Sequence, residues 1–333
     1  MKSYTIFLDV QTPVHIGSGT QITKKEFTVN MKRIDVYDPF KLYSVLGERY
    51  EALFNNPRES LTDYPFENRV KASHAVKYSV HSSDSSVRKT DSIAEFIKDP
   101  YGNPYIPGSS LKGAIRTALL SHIISQDKDD KYKSSHFFKA QDIEEDIFGK
   151  HTDSALRFLR ISDSLPLSTN DLIICKKIDM MTDGTTRELN ICREALRIGT
   201  TIKFKLTIEK PPYNIKNSQA LQIDYIMSAI ESFADQYKKV YSSKFSSNVV
   251  KDYGDNVIYL GGGVGFNSKT INHSLYKEKA IYKIAKTLDR RHNHYKKDIS
   301  LGVSPRALKC TFVNGTHVEM GICRIRIKED EAI

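Results

Sequence analysis

The chain has 333 residues, 39% of them hydrophobic, enough to bury a full core as one elaborated domain or two smaller ones. Apolar residues recur in periodic blocks, which excludes a disordered chain, and no apolar run approaches the roughly 20 residues that cross a bilayer. A formal net charge of +10 favours a polyanionic partner, although many basic proteins bind no nucleic acid.

From Met1 the chain runs into an alternating pattern with no signal-peptide block, so the cytoplasm is the expected location. Tyr4, Ile6, Leu8 and Val10 share one face of a first strand that ends at Pro13. His15, Gly17, Ser18 and Gly19 then read as a loop, and a second strand is predicted over Phe27 to Val36. From Pro39 to about Asp99 the pattern is helical and polar, with an exposed serine-rich patch at Ser79–Ser86. Turn residues at Asp99–Pro104 precede a helix capped by Ser109 or Ser110, with Leu111, Ile115, Ala118, Leu119 and Ile123 as its buried stripe. Lys112 and Arg116, four apart, lie on one flank of that helix. The charge run Asp127–Lys133 reads as a solvated loop, followed by a strand near Leu156–Ile161.

Asp183-Gly184 is a hairpin signal inside the stretch Lys176–Arg193. Met180 and Met181 just before it either belong to the core, wedge between bases or pack on a neighbouring subunit. Thr201–Ile208 is a clear strand, with Lys203 and Lys205 facing away from Ile202, Phe204 and Leu206. Ile223 to Val240 carries a helical stripe, and a further helix is predicted over about Leu275–Leu288, with Lys279, Lys283, Lys286 and Arg290 opposite its apolar side. In the closing strand Cys323, Ile325 and Ile327 alternate with Arg324, Arg326 and Lys328. Strands separated by helices without a regular repeat argue for an α+β fold with one basic sheet face.

Four segments could carry chemistry. Gly17-Ser18-Gly19 with Lys24 and Lys25 either offers amides and cations to a phosphate or simply joins two strands. Pro107 to Arg116 is either an anion-attracting helix N-terminus or a well-capped structural helix. Gly261, Gly262, Gly263 and Gly265 follow a plausible strand at Val257–Leu260; the spacing fails the dinucleotide fingerprint, and the glycines would let another backbone come close. The fourth is the hairpin just described. There is no Gly-Lys-Ser/Thr of a Walker A loop.

Catalytic signals are sparse. Cys175, Cys192, Cys310 and Cys323 form no C-x-x-C pair, so no structural zinc site is expected. His292 and His294 have no neighbouring cysteine or carboxylate to complete a metal set, and Asp142, Glu144, Glu145 and Asp146 read as a solvated helix face. His15 is the one histidine worth testing as an acid or base. No metal and no cofactor is expected.

Taken in order, Thr12-Pro13-Val14-His15-Ile16-Gly17-Ser18-Gly19, then Tyr105-Ile106-Pro107-Gly108-Ser109-Ser110-Leu111-Lys112-Gly113, then the loop Gly261–Gly265, resemble the RAMP superfamily. Within it, Arg160-Ile161-Ser162-Asp163-Ser164, Lys177-Ile178-Asp179, Arg193-Glu194 and Leu260–Phe266 are similar to the fifth-subunit family of the type III-A CRISPR effector, the Csm complex. The resemblance implies a single domain over residues 1–333 with a ferredoxin-like (RRM-like) core, a helical insertion at about 41–99, a thumb hairpin at about 176–193 and a helical and strand region at about 216–333. It implies a non-catalytic subunit that caps the backbone at the crRNA 3′ end and meets target RNA through the guide. It further implies other Csm subunits as neighbours, and a part in guide maturation through host nucleases.

Carried over by position, the expected RNA-binding set is Gly17, Ser18, Gly19, Ser109, Ser110, Lys112, Arg116, Gly261, Gly262, Gly263 and Gly265. His15, Lys24, Lys25, Lys176, Lys177, Arg187, Arg193 and Lys269 stand beside them. The chain departs from the neighbouring backbone subunit of that complex, which cleaves target RNA with an aspartate after its first strand. Here Gln21 to Glu26 holds no aspartate, leaving an endoribonuclease that uses His15 or Glu26 as the alternative.

Overall fold

A computed structural model describes residues 1–83, 87–129, 131–133, 140–150, 153–288 and 295–331. Asp84–Ser86 of the serine-rich patch, Arg290, His292 and His294 lie outside the described residues. Strands β1 (Lys2–Val10), β2 (Gly17–Ile22), β3 (Phe27–Asn30) and β4 (Arg33–Tyr37) lead into helices α1 (Pro39–Leu46), α2 (Glu48–Asn55) and α3 (Phe66–Ala72). After β5 (Val76–Ser82) and β6 (Ser92–Phe96) come the long helix α4 (Gly108–Gln126), α5 (Ala140–Phe148) and the short β7 (Leu159–Ile161). Next follow β8 (Leu172–Met181), β9 (Thr186–Leu196), β10 (Thr201–Ile208), α6 (Ile223–Val240) and β11 (Val257–Tyr259). Helices α7 (Asn272–Tyr276), α8 (Ala280–Leu288) and α9 (Tyr295–Leu301) precede β12 (Ala307–Val313), β13 (Thr316–Glu319) and β14 (Ile322–Glu329).

The fold is α+β. One five-stranded sheet runs β11-β14-β1-β10-β7, with β1 antiparallel to both neighbours. Alternation writes its two faces. Ile6, Leu8, Ile202, Phe204 and Ile325 are buried with the stripes of α4 and α6, which pack on each other. Lys203 and Arg326 register on either side of Phe7 and lie 5.7 and 5.2 Å from its ring centre. The expected basic face therefore exists, but Asp9 and Asp330 pair with Arg326 (2.9 Å) and Lys205 (2.6 Å) and partly neutralise it.

The second sheet follows β2-β6-β9-β8-β5-β4-β3, with β12 added to β8 and β13 to β12. Strand β8 pairs in parallel with β5 through Ile173 and Ile174, and antiparallel with β12 through Ile178 to Met181. Its central position makes Met180 a core residue, 4% exposed, rather than a wedge. Helices α1 to α3 bury a separate cluster around Leu42, Leu53 and Leu61.

Several expected boundaries move. Phe27 to Val36 is a hairpin, not one strand, turning at Met31 in the left-handed region (φ 56). The predicted helical stretch gives way at Val76 to two strands. The helix expected over Leu275–Leu288 is broken at Lys277, another left-handed residue (φ 46). Helix α4 starts at Gly108, and neither Ser109 nor Ser110 caps it. The Gly108 N–H instead donates to Asp163 Oδ1 at 2.8 Å. A Cβ on Gly108 would stand 2.3 Å from the carbonyl oxygens of Ile161 and Ser162, so only glycine lets the helix start abut the end of β7. Among the described residues no helix is long and apolar enough to cross a membrane.

Candidate nucleic-acid interface

The chain leaves β1 through Pro13 and returns along β9, so that Val14 bridges Leu196 and His15 bridges Gly262. His15 Nδ1 lies 2.6 Å from the Glu194 carbonyl oxygen, which can only accept, so Nδ1 carries the proton. Burial lowers the imidazole pKa to about 4; the Glu194 bond opposes this, while the charges of Arg193 and Lys269 add to it. His15 is thus neutral at pH 7, and a base of that strength is poorly matched to proton abstraction there.

The glycine loop packs directly on this histidine. The Gly262 N–H donates to the His15 carbonyl at 2.6 Å. A Cβ on Gly261 (φ +88) would fall 2.2 Å from that same oxygen, and one on Gly263 (φ +94) would fall 2.9 Å from Arg193 Nη1. Gly261→Ala is therefore expected to cost about 2–4 kcal/mol in thermal unfolding, from backbone strain plus a backbone clash. Gly19→Ala, at φ +91 with nothing within 4 Å, should cost only about 1 kcal/mol. Equal losses would show that the close approach to His15 does not require glycine.

Arg193 and Lys309 stand beside Gly263 and Gly265 of the loop, and Lys177 and Lys269 lie near enough to feel the charge of Arg193. Arg193 Nη1 is buried and has no hydrogen-bond partner among the described residues. The carboxylate nearest in charge terms, Asp179, is engaged by Lys309 at 2.8 Å. Lys177 is held below its usual range by desolvation and then by Lys309 and Arg193. Lys269 is lowered in the same way, with Arg193 as the neighbouring charge. An anion placed here would meet a partly desolvated guanidinium whose Nη1 has no hydrogen-bond partner among the described residues.

Lys269 also faces a cleft of about 930 Å³ whose other walls include Ser109, Lys112, Arg116, Arg157 and Asn272. The fold thus joins two segments that the sequence separates by more than a hundred residues. Lys112 is half-buried and lowered by desolvation, with Arg116 and Arg160 adding repulsion. Arg116 reaches Glu144 at 3.4 Å, an exposed pair of the kind worth at most about 1 kcal/mol. The N-terminus of α4, however, already holds the Asp163 carboxylate, so the expected anion site at its first amides is occupied from within the chain.

Other expected residues stand elsewhere. Lys25, 6% exposed, donates to the carbonyls of Leu53 and Asn56, and Lys24 donates to that of Pro57 at 2.6 Å. Both tie the β2–β3 turn to the end of α2, because carbonyls left open at a helix C-terminus accept from lysine. Lys176, 1% exposed, lies 3.2 Å from Glu188 and 4.0 Å from Asp91, inside the sheet. Gly17, Ser18 and Gly19 belong to β2 rather than to a loop, and Glu95 lies against them through Ser18 and Thr20. Ser110 is half-buried, and Arg187 is exposed near the hairpin tip, across from Asp179. Glu26 accepts from the Thr23 N–H and hydroxyl at 2.8 and 2.7 Å, closing a turn.

Sequence reasoning missed Lys309 and Arg157. The alternation Leu308, Lys309, Cys310 signals that Lys309 faces away from the core, but nothing local places it beside Asp179 of a strand 130 residues earlier. All four cysteines are free and buried.

A sequence profile of the RAMP superfamily matches residues 7–284. "CRISPR system Cms protein Csm5" of Mycobacterium tuberculosis (strain CDC 1551 / Oshkosh) is 26% identical, over 99% of this chain and 99% of the relative. The protein of that name from Streptococcus thermophilus is 28% identical, over 81% of this chain and 80% of its own length. In fold, the chain is similar to one in a cryo-EM structure of a Csm–crRNA–target RNA ternary complex (TM-score 0.73, 21% identity, 99% and 100% of the two chains). It is likewise similar to the crystal structure of T. onnurineus Csm5 (TM-score 0.71, 20% identity, 96% and 99% covered).

Proposed function

Because the chain belongs to the RAMP superfamily, we propose that it is a non-catalytic, guide-RNA-binding subunit of a type III-A CRISPR (Csm) effector complex. The observation that carries this reading is Arg193 beneath the glycine loop, its buried Nη1 without a hydrogen-bond partner among the described residues, with Lys177, Lys269 and Lys309 around it. Such a cluster grips a phosphate without reading a base, so affinity comes from the backbone of the strand and falls steeply with salt. The strand runs from the glycine loop past Lys269 into the cleft beside Lys112 and Arg116.

In this reading the sheet carrying β1, β7, β10 and β14, with α4 and α6 over one face, is the ferredoxin-like core implied by the family. The β8–β9 hairpin is the thumb, presenting Arg187 toward the guide–target duplex. The subunit caps the backbone at the crRNA 3′ end beside other Csm subunits in the cytoplasm, meets target RNA by way of the guide, and aids maturation through host nucleases. A guide is held for pairing rather than cut here. His15 is too weakly basic and the Glu26 carboxylate is occupied by its own turn, so purified chain with Mg²⁺ should leave RNA intact.

Reversing both cleft charges, Lys112→Glu with Arg116→Glu, is expected to lower the affinity for single-stranded RNA by about 100-fold at low salt. The slope of log K against log salt should fall by about 2. Filter binding across a salt series measures both, with circular dichroism as the folding control. A folded double variant that retains RNA with an unchanged slope removes the cleft from the interface.

A further inference from the structure

Away from the glycine loop, β13 ends at Glu319, which is 3% exposed and lines a cavity of about 240 Å³ between α6, β11 and the Val250–Asp255 segment. One carboxylate oxygen, Oε1, accepts from the Tyr237 hydroxyl. Among the described residues the other, Oε2, takes no hydrogen bond and no ion pair. Oε2 therefore opens onto the cavity, and a carboxylate so nearly buried is costly unless something charged or strongly donating completes it. Burial holds the group up at about 7.

Part of the lining fits a cation, while Lys238 and Lys251 line it as well. Tyr253 and Tyr259 line the cavity, and aromatic faces attract positive charge. Asp235 and Asp255 also line it, and no ion pair engages either among the described residues, while Asp252 is neutralised by Lys238 at 2.8 Å. On a chain of net charge +10 this hollow has the opposite sign to its surroundings. Geometry narrows the choice further. With Oε1 occupied by Tyr237, only one oxygen is open, which suits the point charge of an ammonium rather than the two-pronged pairing of a guanidinium.

We propose that this cavity binds the ammonium end of an alkyl chain, with Glu319 Oε2 as its acceptor and Tyr253 and Tyr259 against its methylenes. A lysine tip from a neighbouring protein and a free polyamine share that chemistry. Lys251 also lines the cavity and is the internal competitor.

The test is calorimetric titration of the intact chain with n-butylammonium, n-propylguanidinium and spermidine at constant ionic strength. Butylammonium should bind one site with a dissociation constant of about 1 mM, and propylguanidinium several-fold more weakly. Glu319→Gln keeps the oxygen that accepts from Tyr237 and should weaken butylammonium by about 10–100-fold. Should that variant fail to fold, Tyr253→Ala at the wall reads the same loss. Lys251→Ala should bind butylammonium as tightly as the wild type or more so. Spermidine at least about tenfold tighter than butylammonium assigns the site to a free polyamine, and equal affinity assigns it to a lysine tip. Absence of saturation, equal binding by folded Glu319→Gln, or a preference for propylguanidinium overturns the proposal.

Discussion

Arg193→Ala is expected to weaken binding of single-stranded RNA by about 10–100-fold at low salt, while leaving the RNA-free chain as stable as the wild type or more so. The two halves of this result have one cause. Arg193 Nη1 is buried without a hydrogen bond, and Asp179, which would answer its charge, is held by Lys309. In the absence of ligand that donor is desolvated for no return, so removing it relieves a cost. Bound phosphate would supply the missing acceptor, and its loss is felt only in the complex.

The salt slope should fall by about 1, because one phosphate fewer is neutralised in the variant complex. Arg193→Lys should recover only part of the affinity, because an ammonium lacks the planar fork that meets two phosphate oxygens. Lys176→Met is the contrasting case. Its ammonium sits among Asp91 and Glu188 inside the sheet, so stability should drop while RNA affinity of the folded fraction holds. Equal RNA affinity for wild type and folded Arg193→Ala would show that this guanidinium does not touch the strand.

Lys98→Met is expected to destabilise the chain by about 3–5 kcal/mol in urea unfolding. Glu194 is 0% exposed, and Lys98 reaches its Oε2 at 2.5 Å. The same carboxylate accepts from the Tyr78 hydroxyl at 2.6 Å and the Phe96 N–H at 2.9 Å. Burial, and after it the Glu194 charge, push the Tyr78 hydroxyl well above the ordinary range, so it stays a neutral donor. Removing the ammonium leaves a buried anion held by neutral donors alone. Pairing Lys98→Met with Glu194→Gln removes that charge and should restore about half the loss or more.

The effect reaches the proposed RNA interface through the backbone. The Glu194 carbonyl orients His15, His15 carries the Gly262 amide, and Arg193 is the adjacent residue of β9. A Lys98→Met variant losing less than about 1 kcal/mol would mean that water or rearrangement already satisfies Glu194.

Elements whose burial is periodic are legible in the residues alone. Alternation in Tyr4–Val10, Thr201–Ile208 and Cys323–Ile327 marks β1, β10 and β14, and the stripe from Ile226 to Tyr237 marks α6. In these the core face is written by side-chain spacing alone, since a strand turns its residues every two positions and a helix every 3.6. The need for glycine at Gly261 is also legible, as a place where another backbone comes close, whereas the Arg193 side chain against Gly263 is not.

Which cations are held by the chain's own groups depends instead on long-range packing. Lys24, Lys25, Lys176, Lys177, Arg193 and Lys269 look alike in sequence, yet the first three are engaged by carbonyls or by the carboxylates of Asp91 and Glu188. The last three gather under one loop. Asp163 closes the start of α4 from 55 residues away, and Lys309 claims Asp179 from 130 away. Long charged side chains pair with whatever the fold brings within a few ångströms, and strand order, which sets those neighbours, is fixed by packing between distant segments rather than by any local pattern.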